Sequence, residues 1–355
     1  MGVFPKSILT IVMFSLLFSC NIEEGVNTNT IMDNNNQSES TRNVSGRSIV
    51  FYNVENLFDT KNDRHTDDDD FTPHGEYEWD EERYSKKLEQ ISEAINLIEE
   101  KPLLIGLAEI ENHNVLEALI KTDGMDDLNY KYVHFNSPDR RGIDVALLYA
   151  SDEFEVLDSK KIPVKIKGNH GFNTRDILYV EGLISNSIKT HVFVNHWSSR
   201  REGQLESEHK RVRAATILRE KIDEIQVKDK NANIVIIGDF NDYPSNKSLN
   251  NVLRAKEAGF ENEGDLINLL FDEHENGEGT SVYQREWSVL DQIIVSQSIY
   301  DGITLGIQNQ DAEILRERKL IYTYHDGGQK PSSTYGGRKY FGGYSDHLPV
   351  YIVLK

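Results

Sequence analysis

Cysteine is almost absent from this chain of 355 residues: Cys20 stands alone. That excludes an intramolecular disulfide and any cysteine-ligated metal centre. Long apolar runs are missing too. The most apolar stretch, Ile8 to Phe18, has about eleven residues against the roughly 20 that a spanning helix needs. Positive charge is scarce, with 39 Lys and Arg against 59 Asp and Glu and a formal net charge of −20. Such a balance disfavours tight nonspecific binding to polyanions, whose phosphates are held largely by Lys and Arg. It leaves phosphate chemistry open, because a divalent cation can supply positive charge locally. No HExxH pattern occurs, which counts against zinc. The acidic run Asp67 to Asp70 lacks the central glycine and final glutamate of an EF-hand and reads as a solvated loop. No repeat appears at solenoid periods.

What is present begins with an N-terminal address. Lys6 gives a positive start, Ile8 to Phe18 an apolar middle, and Leu17 to Cys20 a close on a small residue before a cysteine. Residues 1–20 resemble a bacterial lipoprotein signal. That resemblance implies cleavage before Cys20, lipidation of its thiol, and a membrane-anchored protein facing the periplasm or the cell surface. Residues 21–46 are rich in Asn, Ser and Thr and read as a flexible polar tether. Residues 47–355 are expected to form one catalytic domain, because the candidate site residues run from Asn53 to His347.

Within that domain, Tyr84, Leu88, Ile91, Ile95 and Ile98 step by three and four, which predicts an amphipathic helix ending before Pro102. A second long helix is expected over roughly Glu206 to Ile225. Apolar runs predict strands from Ser48, Leu103, Asp144, Ile177, His191, Ile234, Val289 and Val350. Mixed strands and helices imply an α/β fold, two packed, mainly antiparallel or mixed sheets flanked by helices in four layers.

Two segments carry most of the chemistry. IVIIGDFND, Ile234 to Asp242, is a buried-strand run that ends in Asp239 and Asn241, and α/β folds keep their chemistry at such strand mouths. GYSDHLPV, Gly343 to Val350, sets Asp346 and His347 before another strand. Asn53, Glu55, Glu109, Asp144, His196 and Asp291 occupy comparable strand ends. Oxygen donors dominate, which suits Mg²⁺ or Ca²⁺. Asp144 reads equally as a site carboxylate or as a buried partner of Arg141.

The ordered set FYNVEN, LAEIEN, GIDVALLY, VNHWSSR, GDFND, LDQIIVS and YSDHLPV resembles the endonuclease/exonuclease/phosphatase superfamily across residues 48 to 355. The resemblance implies a metal-dependent phosphoesterase using Mg²⁺, or Mn²⁺ or Ca²⁺. Glu109 is then the principal metal ligand, with Asn53 and Asp346 beside it and Glu55 close by. Asp239 orients or deprotonates the attacking water, and Asn241 bonds a phosphoryl oxygen. His347, oriented by Asp291, contacts a phosphate oxygen, and His196 holds another or assists the leaving group. Both Asp239 and the pair of His347 with Asp291 stand as candidate general bases. Arg141 and Arg200 are candidate substrate contacts, since guanidinium forks suit phosphate oxygens. The loop Ser333 to Tyr344, which interleaves aromatics and cations with glycine, reads as a base or sugar grip or as a turn-rich connection.

Hydrolysis of a phosphodiester needs a metal to polarise oxygen, an in-line water and stabilisation of spreading negative charge. The residues above supply those parts. The expected function is an extracytoplasmic nuclease acting on a phosphodiester substrate. The alternatives are a phospholipid or sugar-phosphate phosphoesterase, from whose inositol-phosphatase branch QREWSVLDQI departs by lacking a PAWCDR-like segment, and a non-catalytic surface binding protein.

Overall fold

The structure, a computed structural model, describes residues 44–355. The signal-like segment, Cys20 and most of the tether lie outside the described residues. Among the described residues no helix is long and apolar enough to cross a membrane.

Eight strands and three helices carry the first two thirds of the domain: β1 (Ser48–Leu57), α1 (Glu81–Asn96), β2 (Pro102–Ile110), α2 (His113–Leu119), β3 (Tyr130–His134), β4 (Asp144–Ala150), β5 (Phe154–Ile162), β6 (Ile177–Ile184), β7 (Ile188–His196), α3 (Gln204–Lys228) and β8 (Asn233–Asp239). One sheet runs Glu313–Ile314, Val350–Val353, β1, β2, β4, β3; the other runs β5, β6, β7, β8, Asp291–Ser296, Leu266–Asn268, Ala255–Lys256. Each is mixed. β1 is parallel to β2 and β7 to β8, while most neighbours are antiparallel. This is the two-sheet sandwich flanked by helices that the sequence pattern implied.

Burial explains why β8 shows no polar alternation. Val235 and Ile237 enter the core between the sheets, whereas Ile234 and Ile236 pack with Ala215, Leu218 and Ile222 of α3. A strand covered on both faces requires apolar residues at every position. Gly106 of β2 lets the sheets approach closely, because a Cβ there would lie 2.5 Å from Cδ1 of Ile237. Helix α1 starts at its Asp80 cap, whose carboxylate accepts from the Arg83 amide at 3.0 Å, and stops at Asn96, short of the Ile98 that the periodicity included. Strands β3 and β5 were not visible in the sequence. Both are sheet edges, and β5 buries only Phe154 fully.

Candidate active site

Parallel pairing is what gathers the polar ends. His196 closes β7 directly opposite Asp239, which closes β8, and Asp239 is itself opposite Asp291 at the start of the next strand. Three chemically active side chains therefore stand side by side on one sheet mouth. On the other sheet, Asn53 of β1 pairs with Ala108 of β2, and the β2 register slips immediately after, at Glu109. Glu109 has φ 67° and Asn241 φ 51°. Non-glycine residues rarely adopt this left-handed backbone, which tends to persist where surrounding structure holds a functional group in place. The bulge re-aims the Glu109 side chain.

The two mouths meet through Asn53, whose Nδ2 donates to Oδ2 of Asp239 at 3.1 Å. Nε2 of His196 lies 3.5 Å from the same oxygen and 3.8 Å from Oε1 of Glu109. The other Asp239 oxygen accepts the Asn241 amide at 2.9 Å. Nδ1 of His347 meets Oδ2 of Asp291 at 2.6 Å, and its Nε2 lies 3.9 Å from Asp346, whose side chain is 56% exposed. Asn53, His196, Asp239, Asn241, Asp291 and His347 are all buried.

Burial and charge push these groups in different directions. Asp239 is raised to about 7, by burial first and then by the carboxylates of Asp291 and Glu109, against the opposing pull of His347. His196 is held well below its ordinary value by burial, with the guanidinium groups of Arg175 and Arg141 adding to it. His347 suffers the same burial, but the Asp291 carboxylate prevails and holds it well above. At neutral pH the site thus contains one neutral and one cationic imidazole.

Of the groups that anchor the surroundings of the site, only Glu55 was expected, close by the metal. Glu55 directs its carboxylate at the amides of Thr334 (2.7 Å) and Tyr335 (3.1 Å), fixing the hairpin Tyr335–Gly336/Lys339–Tyr340 beside the site. The loop from Ser333 to Tyr344 is therefore built and anchored. Burial, with Asp346 adding, pushes Glu55 up to about 7, and Lys87 opposes that shift. Lys87, fully buried on α1, donates to Oγ1 of Thr334 and the carbonyl of Tyr344, each at 2.6 Å, and burial lowers it to about 8. A trace existed in the sequence: Lys87 falls on the apolar face marked by Tyr84, Leu88 and Ile91. Arg175, also unforeseen, donates to the His196 carbonyl (3.1 Å) and to Asp139 (3.0 Å).

The remaining candidates lie around this centre. Arg141 is bound to Asp139 at 3.3 Å and is partly exposed. Arg200 donates to the Asn241 carbonyl at 2.6 Å, lies 3.7 Å from Asp242 and stacks over Tyr243. Asp144 does not pair with Arg141. It accepts the Ser137 amide at 2.8 Å and sits 3.1 Å from Nε2 of His134, so its carboxylate closes a local loop. In the acidic run, Asp68 is buried whereas Asp67, Asp69 and Asp70 are exposed, as a solvated loop requires of most of them.

Asp239, Asp291 and His347 offer ligand atoms within 4.8 Å of one another. The bond between His347 and Asp291 uses Nδ1 and Oδ2, which leaves Nε2 of His347 and the buried, unpartnered Oδ1 of Asp291 as the atoms that could face an ion. A hard cation prefers oxygen donors, which Glu109, Asn53 and Asp346 would supply without an imidazole. Asp239 and Glu55 are held near 7 by burial first and by neighbouring carboxylates second, and a divalent ion would offset both contributions.

A sequence model described as the Endonuclease/Exonuclease/phosphatase family matches residues 48–355. No curated protein matches the chain. Among solved structures, an endonuclease/exonuclease/phosphatase family protein from Bacteroides thetaiotaomicron is 16% identical with a TM-score of 0.56, over 87% of this chain and 97% of that one. A mannosyl-6-phosphatase of the same organism gives 16% and 0.55, over 87% and 99%. TDP2 of D. rerio complexed with single strand DNA product gives 13% and 0.53, over 87% and 98%.

Proposed function

The chain belongs to the endonuclease/exonuclease/phosphatase family, whose members are hydrolytic phosphoesterases, and we propose that it is a divalent-metal-dependent phosphodiesterase cleaving nucleic acid outside the cytoplasm. The observation that carries this reading is the convergence of Asn53, His196 and Glu109 on Asp239 beside the His347–Asp291 pair, in which the carboxylate draws His347 towards its cationic form while burial draws His196 towards its neutral one. Sites that separate the protonation states of like groups assign them different tasks. Cationic His347 donates from Nε2 to a phosphoryl oxygen and stabilises charge that grows there. Asp239, close to neutrality in its affinity for a proton, accepts one from water, and Asn53 and the Asn241 amide hold its carboxylate in place. Neutral His196 sits between Asp239 and Glu109, placed to bond a second oxygen or the leaving group. A divalent cation at Glu109, Asn53 and Asp346 would polarise the phosphorus centre.

Purified protein is expected to hydrolyse bis(p-nitrophenyl) phosphate and single-stranded DNA with added Mg²⁺, Mn²⁺ or Ca²⁺, and to stop when EDTA is added. Turnover that persists in the chelator rejects the metal. A sugar-phosphate reading is favoured by one fact, the net charge of −20, which suits a small anion better than a polymer. Release of phosphate from mannose 6-phosphate with DNA left intact would decide for it.

The membrane attachment rests on Cys20 closing a signal-like segment, followed by a polar tether. Cys20→Ala is expected to move the protein from the membrane fraction to the soluble one in a bacterial host. A variant that still sediments with membranes would remove the anchor from this account.

A further inference from the structure

A cleft of about 820 Å³ opens beside the site, between the loop Asn136–Pro138, the segment 161–172 that runs on from the end of β5, and Arg213 of α3. Its lining is cationic in a chain that is otherwise strongly acidic. Lys165 and Lys167 are exposed, and among the described residues neither ammonium group has an ion-pair or hydrogen-bond partner. Lys161 is held by the Asn136 carbonyl at 2.6 Å and pairs with Asp176, the one carboxylate of the lining, at 3.5 Å. Arg213 is oriented by the Lys165 carbonyl at 2.9 Å. The cleft therefore has a net positive charge that the overall composition does not predict.

The cleft also adjoins the catalytic centre through shared walls. A smaller hollow lined by Arg175 and His196 shares Val164 and Asp176 with it. Arg175, which lines that hollow, is fixed between Asp139 and the His196 carbonyl, and Arg141 binds the same Asp139, so two guanidinium groups share one carboxylate there. Phe172 adds a half-buried aromatic ring, with Nζ of Lys210 5.9 Å from its centre.

We propose that this cleft carries the phosphate backbone of a single-stranded nucleic acid leading away from the scissile bond, with Lys165 and Lys167 as its outer phosphate contacts. The inference rests on the phosphodiesterase reading and narrows its substrate to a polymer. A basic groove with an aromatic platform is what single strands use, with little regard to sequence. The space exceeds what one phosphate or one hexose phosphate needs. Its concavity suits a strand better than the flat face of a bilayer.

The test compares the full chain with the double variant Lys165→Glu, Lys167→Glu, on a 20-nucleotide single-stranded DNA and on bis(p-nitrophenyl) phosphate. On the oligonucleotide KM is expected to rise roughly tenfold with kcat unchanged, and the slope of log KM against log salt to flatten by about 1.4, some 0.7 per lost contact. On the small ester, which does not reach the cleft, both constants should stay as in the parent. An unchanged KM and salt slope on the oligonucleotide overturns the inference, and so does an equal loss on both substrates. Loss of binding to phosphatidylglycerol vesicles without loss on the oligonucleotide overturns it in favour of a membrane. If the parent protein hydrolyses neither substrate, the phosphodiesterase reading fails on its own. Fluorescence anisotropy of the labelled strand in EDTA then still decides the cleft: the parent binds and the variant does not, or the inference is wrong.

Discussion

Asp239→Asn should lower kcat on bis(p-nitrophenyl) phosphate by about 10²- to 10⁴-fold, the range that a positioned acid or base contributes, while raising stability above neutral pH. Both effects have one origin. The Asp239 carboxylate is buried beside Asp291 and Glu109 and is raised to about 7, so the protein sets a proton acceptor near neutral pH. Activity in the parent should therefore climb as pH rises through about 7, and that limb should vanish in the variant. For stability the sign runs the other way. Between the unfolded value near 3.8 and about 7 the native state binds the extra proton, so stability falls as pH rises across that window. Asparagine carries no charge and escapes the penalty, which is on the order of a few kcal/mol. It has its own cost: its single oxygen can serve the Asn241 amide or the Asn53 amide group, not both. Steady-state rates and thermal melts at pH 5 and pH 8 test the pair of effects together. A variant within tenfold of the parent at pH 8 would remove Asp239 from proton transfer.

Much of this site was legible because the fold places chemistry where apolar runs end. Asp239, His196 and Glu109 each follow a stretch of buried strand, and parallel pairing of β7 with β8 then sets His196 opposite Asp239. Strands covered on both faces announce themselves by composition. The edges do not: β5 exposes most of its side chains, so its sequence FEVLDSKKI carries no alternation to read. Lys87 escaped notice for a different reason. Its position on α1 is apolar by periodicity, and only the tertiary contact with Thr334 and Tyr344, about 250 residues later in the chain, gives a charge there its partners. Arg175 was hidden likewise. It follows a segment without periodic pattern, and its partners Asp139 and His196 become neighbours only when the sheets close. Asp144 shows the converse, since nearness in sequence to Arg141 suggested, as one of two readings, a pair that its bonds to the Ser137 amide and to His134 forestall.

Asp291→Asn should separate charge from shape at the second half of the site. The ring of His347 is buried, which by itself would strip its proton; Asp291 at 2.6 Å reverses that and keeps the imidazole cationic. Asparagine preserves the size and one hydrogen bond but not the charge. A turnover loss of about 10²- to 10³-fold is expected at pH 8, the cost of losing one charged donor to the developing phosphoryl oxygens. At pH 6 the solution restores part of the protonation that Asp291 no longer supplies, so the deficit should shrink. Stability follows the linked proton. A histidine raised on folding contributes stability that is complete below about 6.5 and lost as pH climbs through the raised value, so the variant should be most destabilised relative to the parent at acid pH and least at alkaline pH. His347→Gln should be as slow as Asp291→Asn at pH 8, and the double variant hardly slower than either, because the two residues act as one charged unit. A loss in Asp291→Asn that is uniform from pH 6 to pH 9 would mean that Asp291 only positions the ring. The cationic imidazole would then have to be withdrawn from the reaction, and Asp239 would carry the proton chemistry alone.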